Sequence, residues 1–232
     1  MTTPAESLAS IPLFLSLEPN EIRRLDQRCT WRRYQPTEWV VEQEEDGDQV
    51  YFVISGGVRV IMQSPERDVI FSDLPPGSFF GELSVIDGKP RSATVTALYN
   101  TLIAGMPGSV FLDTIYTHPD ACRRLLRILA ERLRAVNNRV VEFSLLDVRH
   151  RVYSELLRMA KIDPQDPRKA TLSPPPLQQD IAARAITRRE AVSRELTRME
   201  RVGMLERRRG AWVIKDRIAL IEDIRRAAGE EE

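Results

Sequence analysis

The rhythm of apolar and polar positions changes twice along this chain of 232 residues. Between about 37 and 112 the apolar residues come in short β-rich pieces, at 39–41, 50–54, 58–62, 69–71, 93–98 and 102–103. Turn residues separate them: Asp46-Gly47, Ser55-Gly56-Gly57, Pro75-Pro76-Gly77 and Asp87-Gly88. Strands this short, recurring every ~8–12 residues with no helix between them, predict an antiparallel sandwich or roll and argue against a parallel sheet. The stretch 11–35 reads as a short helical lead-in, with Ile22 and Leu25 set among charges.

From about Pro119 the turns stop. Leu126, Leu129, Leu133, Val136, Val140 and Phe143 step alternately by three and four, an a/d heptad seam flanked by arginines and Glu131. A helix packed on its own domain would carry a broader stripe. A seam this narrow predicts a long helix that pairs with a second copy, making the protein a homodimer. A break near Asp147 leads into another amphipathic helix (Val152, Leu156, Leu157, Met159), which the Asp163-Pro164-Gln165-Asp166-Pro167 segment must end. Helices at about 177–185 and 188–201 follow. Then Met204-Leu205, the basic turn Arg207-Arg208-Arg209-Gly210 and Ala211-Trp212-Val213-Ile214 read as a hairpin.

Wound at about 100° per residue, the helix 188–201 gathers Val192, Leu196 and Met199 on one stripe. Glu190, Ser193, Arg194 and Thr197 fall on the opposite face, and Arg188 and Arg189 stand at its beginning. An arginine can grip guanine O6 and N7 with two bonds, and a glutamate can accept from cytosine N4. A helix presenting those groups from its N-terminal half suits the major groove, and Arg208 in a hairpin tip suits phosphates. The competing reading is a solvated helix with a Glu190–Arg194 pair at i, i+4 spacing. The preceding helix, the hairpin and the local charge favour DNA.

Charge enters through its distribution. The chain's 34 basic and 34 acidic residues cancel, yet residues 1–147 hold 15 Lys+Arg against 20 Asp+Glu and residues 148–232 hold 19 against 14. An acidic front and a basic back imply modules with different partners. Hydrophobic residues at 42% and charged residues at 29% exclude a disordered chain and allow ordinary cores. Cys29 and Cys122 are too few and too far apart for a zinc ribbon or an iron–sulfur cluster. His118 reads as a loop residue and His150 as a surface residue, so neither suggests a haem ligand, and no metal is expected. The start, MTTPAESLAS, lacks a basic signal region, and no apolar run approaches the roughly 18 residues of a membrane span. A cytoplasmic protein without membrane contact is expected. No Ser/His/Asp order, P-loop or metal-spaced cluster suggests an enzyme.

Within the β-region lies Phe80-Gly81-Glu82-Leu83-Ser84-Val85-Ile86-Asp87-Gly88-Lys89-Pro90-Arg91-Ser92-Ala93-Thr94-Val95. A buried Arg91 needs an anion, and the Ser92 hydroxyl and nearby backbone amides would complete a phosphate seat. Glu82, acceptor-only, could take a sugar hydroxyl. An Arg91–Glu82 salt bridge inside a turn is the plainer possibility. This stretch resembles the phosphate-binding cassette of cyclic-nucleotide-binding domains. The order of roll, long helix and winged helix-turn-helix resembles the cyclic AMP receptor protein (CRP/FNR) family of bacterial regulators along almost the whole chain. Leu146-Asp147-Val148 resembles its hinge.

The resemblance implies an α+β architecture: a cyclic-nucleotide-binding β-roll over 1–117, a dimerisation helix and hinge over 118–147, and a winged helix-turn-helix over 148–232. It implies that Gly81, Glu82, Leu83, Arg91, Ser92 and Arg132 hold a cyclic nucleotide, Glu82 on the ribose hydroxyl. Asn137 matches a serine that touches the purine from the other subunit. Arg189, Glu190 and Arg194 match the base-reading trio. Cyclic AMP is the implied allosteric ligand, with cyclic GMP the alternative, since an asparagine amide can serve either base. Double-stranded DNA with an inverted repeat and RNA polymerase are the implied partners. Two positions depart from the family: Val136 stands where a threonine usually lies beside the purine contact, and Ile186 where the turn glycine usually lies. Two other readings are a ligand-independent regulator with a structural roll and the cyclic-nucleotide-binding subunit of an enzyme.

Overall fold

A computed structural model of the chain describes residues 7–64 and 68–229. Residues 1–6 and 230–232, which include the start of the chain and its glutamate end, lie outside the described residues. The chain divides into two compact units, 1–132 and 133–232, with the division inside the long helix.

The first unit begins with two short helical turns, then α1 (Pro19–Arg28), β1 (Thr30–Tyr34), β2 (Trp39–Val41), β3 (Gln49–Ser55), β4 (Val58–Met62) and β5 (Val69–Leu74). It continues with β6 (Phe79–Phe80), α2 (Glu82–Asp87), β7 (Thr94–Ala97), β8 (Thr101–Pro107), α3 (Gly108–Thr117) and the first part of α4 (Pro119–Leu145). Two antiparallel sheets, ordered β1-β8-β3-β6 and β2-β7-β4-β5, make the expected roll. Along β3 the side chains alternate between two cores, as the two-residue period of a strand requires. Val50 and Phe52 join a core with the helices, where the Phe52 ring lies 5.1 Å from Phe14 and 6.5 Å from Phe111. Val53 joins a second core with Val58, Phe80, Val95 and Ile103. A strand buried on both faces needs a continuous apolar run, which is how 50–54 reads.

Two elements depart from the sequence expectation. Residues 30–34 are a strand, not the end of the helical lead-in: Thr30 to Tyr34 pair antiparallel with Gly105 to Thr101. Only Tyr34 of β1 is buried, so its pattern carries almost no period-two signal. α3 falls where the sequence still looked β-like, its buried Val110, Phe111 and Ile115 being residues that also favour strands. His118 lies outside both helices, between α3 and α4, as the sequence suggests, and it is tied down there: its Nδ1 lies 3.0 Å from the Thr114 carbonyl oxygen and its Nε2 lies 2.9 Å from Glu21 on α1.

That contact gives the roll a pH dependence. Hydrogen bonding to Glu21 raises the His118 pKa, and the same bond lowers that of Glu21. A histidine whose folded pKa is raised contributes its stability fully below the unfolded value and loses it as pH rises through the folded value. The Tm difference between wild type and Glu21→Gln should therefore be largest near pH 6 and shrink towards about pH 8. A difference that stays constant over that range would show the pair to be inert.

The second unit holds the rest of α4, then α5 (Val148–Met159), β9 (Lys161–Ile162), β10 (Ala170–Leu172), α6 (Gln178–Arg184) and α7 (Arg189–Arg201). β11 (Leu205–Arg208), β12 (Ala211–Ile214) and α8 (Arg217–Ala227) complete it. The break at the expected place is an N-cap: the Asp147 carboxylate accepts from the His150 amide and starts α5. His150 is not the surface residue the sequence suggested; its side chain is 12% exposed and lies 2.8 Å from Asp147. Val192, Leu196 and Met199 are fully buried against Ile181, Tyr153 and Leu156, the stripe the helical wheel predicts. β11 and β12 form the expected hairpin, extended by β10 and β9 into an antiparallel sheet ordered β11-β12-β10-β9. β9, β10 and α8 have no counterpart in the sequence reading.

Candidate nucleotide cassette and DNA interface

The cassette opens where β6 ends. Gly81, at φ +80°, turns the chain into α2, and a Cβ there would lie 2.6 Å from Arg91 Nη1. Glycine is thus required for both the bend and the close approach. Arg91 is 4% exposed. Its Nη1 donates to the Gly81 carbonyl oxygen (2.7 Å) and its Nη2 to that of Gln49 (2.9 Å). Gly47 packs against the same guanidinium, where a Cβ would come within 2.3 Å. Arg91 lines a cavity of about 210 Å³ together with Val41, Glu45, Asp48, Gln49 and Tyr51. Ser92 beside it is exposed, as is Leu83 on α2.

The Arg91–Glu82 salt bridge is not formed. Glu82, 3% exposed, accepts instead from Arg132 Nη1 at 2.7 Å. Arg132 Nη2 donates to the Phe79 carbonyl oxygen at 2.7 Å, and its guanidinium stands 4.6 Å from the Phe79 ring. Burial pushes the Glu82 carboxyl above the ordinary carboxylate range, against the opposing pull of Arg132. Two candidate residues fifty positions apart in sequence are therefore brought into one ion pair. Asn137 occupies an exposed position further along α4.

In the second unit α6 and α7 form the helix-turn-helix. Ile186, between them, takes the left-handed conformation at φ +48°. The turn therefore keeps the bend that normally calls for glycine, despite the β-branched side chain. Arg188 is the exposed N-cap of α7, and Arg189, Glu190 and Arg194 are exposed beyond it. Among the described residues the side chains of these last three make no hydrogen bond or ion pair, so the Glu190–Arg194 alternative is not realised. They line a cleft of about 560 Å³ with Gln178, Ser193, Thr197, Arg198 and Arg201. Arg201 continues the four-residue step from Arg189 through Ser193 and Thr197, so the sequence could have named it. Gln178 comes from α6, and only tertiary packing brings it there.

The wing arginines are unequally committed. Arg207 pairs with Glu200 (2.8 Å) and lies over the Trp212 ring, and Arg208 pairs with Glu206 (2.8 Å). Arg209, exposed at the tip, has no such partner among the described residues. Exposed pairs contribute little, so a phosphate can displace Glu206 from Arg208 at small cost. Along α4, Leu126, Leu133, Val136 and Val140 are 57–62% exposed in the single chain. Leu129 packs at the edge of the helical core, and Phe143 lies beneath the guanidiniums of Arg139 and Arg151. No helix among the described residues is long and apolar enough to cross a membrane.

Comparison with known proteins agrees with this geometry. Residues 31–118 match the cyclic nucleotide-binding domain, and residues 150–222 match the Crp-like helix-turn-helix domain. The chain is 28% identical over 226 residues to the CRP-like cAMP-activated global transcriptional regulator of Mycobacterium tuberculosis, covering 96% of this chain and 97% of that one. It is 30% identical over 220 residues to the cyclic AMP receptor protein of Thermus thermophilus, covering 92% and 96%. A solved CooA variant from Carboxydothermus hydrogenoformans shares the fold, with a TM-score of 0.77 at 19% identity over 96% of this chain and 100% of that one. With a cyclic nucleotide-binding roll in front and a helix-turn-helix behind, the chain belongs to the CRP/FNR family of DNA-binding transcription regulators.

Proposed function

We propose that this regulator works as a homodimer that reads an inverted-repeat DNA site and is switched by a cyclic nucleotide, cyclic AMP ahead of cyclic GMP, held in the roll. Its functional divisions are the roll (1–117), the dimerisation helix with its hinge (118–147) and the DNA-binding domain (148–232), acting together with RNA polymerase. The observation that carries the reading is Arg91. It is a cation with 4% exposure whose bonds go to two neutral carbonyl oxygens, and among the described residues no carboxylate pairs with it. A buried charge without a counter-charge is costly, and a phosphate would supply one. Gly81, Leu83 and Ser92 would frame that phosphate. Glu82, oriented by Arg132, would accept from the ribose hydroxyl, and the partner subunit's Asn137 would meet the purine. Names of relatives support cyclic AMP: two of them are described as cAMP-activated or cyclic AMP receptor proteins.

A second reading has its own observation. Arg91 and Glu82 are already hydrogen-bonded within the chain, by Gly81, Gln49 and Arg132. A cassette satisfied in this way also suits a ligand-independent regulator. DNA affinity measured with and without saturating cyclic AMP or cyclic GMP separates the two. Under the sensor reading cyclic AMP raises DNA affinity about 5–150-fold, and DNA raises cyclic AMP affinity by the same factor. Equal DNA affinity in all three conditions would reject the sensor and leave the ligand-independent regulator.

A further inference from the structure

α6 closes on a strained residue. The Ala185 amide donates to the Ile181 carbonyl oxygen, and the Thr187 amide reaches back to that of Ala182, both at 2.9 Å. Ile186 thus occupies the left-handed position of a Schellman motif, which glycine ordinarily fills. That conformation is costly for a β-branched side chain. A helix end also leaves carbonyl groups without partners inside the helix. Here the two carbonyls immediately before Ile186 each receive a guanidinium from another helix. Arg139 Nη2, on α4, donates to the Arg184 carbonyl oxygen at 3.0 Å. Arg151 Nε, on α5, donates to the Ala185 carbonyl oxygen at 3.0 Å. Positive charge at a helix C-terminus is favoured further by the helix dipole.

Both arginines are themselves anchored. Arg139 Nη2 lies 3.1 Å from Glu155, a carboxylate only 3% exposed, which also pairs with Arg158 at 2.5 Å. Arg151 Nη1 donates to the Leu146 carbonyl oxygen at 2.9 Å, at the junction of α4 and α5. The two guanidiniums stand 5.8 Å and 5.9 Å from the Phe143 ring centroid.

We propose that Arg139 and Arg151 are positioning residues for DNA recognition: they clamp the C-terminal carbonyls of α6, hold the left-handed turn at Ile186, and thereby set the direction of α7. The inference rests on α7 being the DNA-reading helix. Its consequence is that the angle of Arg189, Glu190 and Arg194 is tied to the junction at Leu146, because Arg151 grips both places and Arg139 belongs to the long helix. A displacement at that junction is felt at the turn without passing through the apolar core.

The test is a double-substitution cycle on the full chain. Wild type first selects its site from random-sequence DNA with cyclic AMP present. Arg139→Met should lower the ratio of specific to non-specific DNA affinity about tenfold, and Arg139→Lys should restore most of it. Ile186→Gly removes the strain, so it should leave the ratio near wild type and cut the Arg139→Met penalty to about threefold or less. The Tm loss caused by Arg139→Met should likewise be smaller in the Ile186→Gly background. A purely structural Arg139, serving only Glu155, predicts equal Tm losses in both backgrounds and unchanged specificity; that result overturns the clamp. Should Arg139→Met fail to fold, Arg151→Met carries the same cycle, since it removes the donor to the Ala185 carbonyl oxygen. If wild type selects no DNA site, the DNA reading of α7 fails, and the Tm cycle still decides whether the clamp exists.

Discussion

Replacing Arg91 with Gln should weaken cyclic AMP binding by roughly 30-fold or more, corresponding to the 2–5 kcal/mol expected when one partner of a desolvated charge pair is lost. The substitution removes the positive charge that Arg91 would offer a phosphate at this seat. It also has a structural cost. The Gly81 and Gln49 carbonyl oxygens lose their guanidinium donors, so the Tm of the free protein should fall as well. A net loss of about 1.5–3 kcal/mol is in the range of hydrogen bonds to a charged group. Affinity is therefore measured by calorimetry well below the Tm of the variant, with circular dichroism confirming a native-like fold. Wild-type affinity in a folded Arg91→Gln protein would remove the phosphate seat from this position.

Under the proposed homodimer, Leu133→Asp should leave the protein monomeric at micromolar concentration. In the single chain Leu133 is 61% exposed, so an aspartate there is solvated and folding is spared. In the paired seam the same carboxylate would be buried against its symmetry mate, at a cost of several kcal/mol per ion. DNA binding should weaken with it, because two half-sites about 34–36 Å apart are read together only when the two recognition helices are joined. Light scattering measures the mass directly. A variant that remains dimeric while folded would place the dimer contact elsewhere.

Local pattern was enough for much of the architecture because strand and helix periods are local properties. The continuous apolar run at 50–54 and the stripe Val192, Leu196, Met199 are each legible within one element. Where the pattern was weak the reading failed. β1, with only Tyr34 buried, is a strand because β8 pairs with it, and nothing in five consecutive residues announces a partner seventy positions away.

The candidate site divides along the same line. By itself the sequence determined the residue types: one arginine followed by a serine in a glycine-bounded cassette, a basic hairpin, an arginine–glutamate–arginine set on one face of a helix, and isoleucine where a turn favours glycine. These are matters of composition and spacing, which one strand of text records. Only the tertiary structure decided which charges meet. Glu82 takes Arg132 and not Arg91, Arg91 takes the carbonyls of Gly81 and Gln49, and Arg139 and Arg151 take the carbonyls before Ile186. Charge pairing depends on distance and burial in three dimensions, and on which neutral dipoles compete for each guanidinium. For the same reason the sequence could flag Ile186 as out of place, while only the packed helices show what holds it at φ +48°.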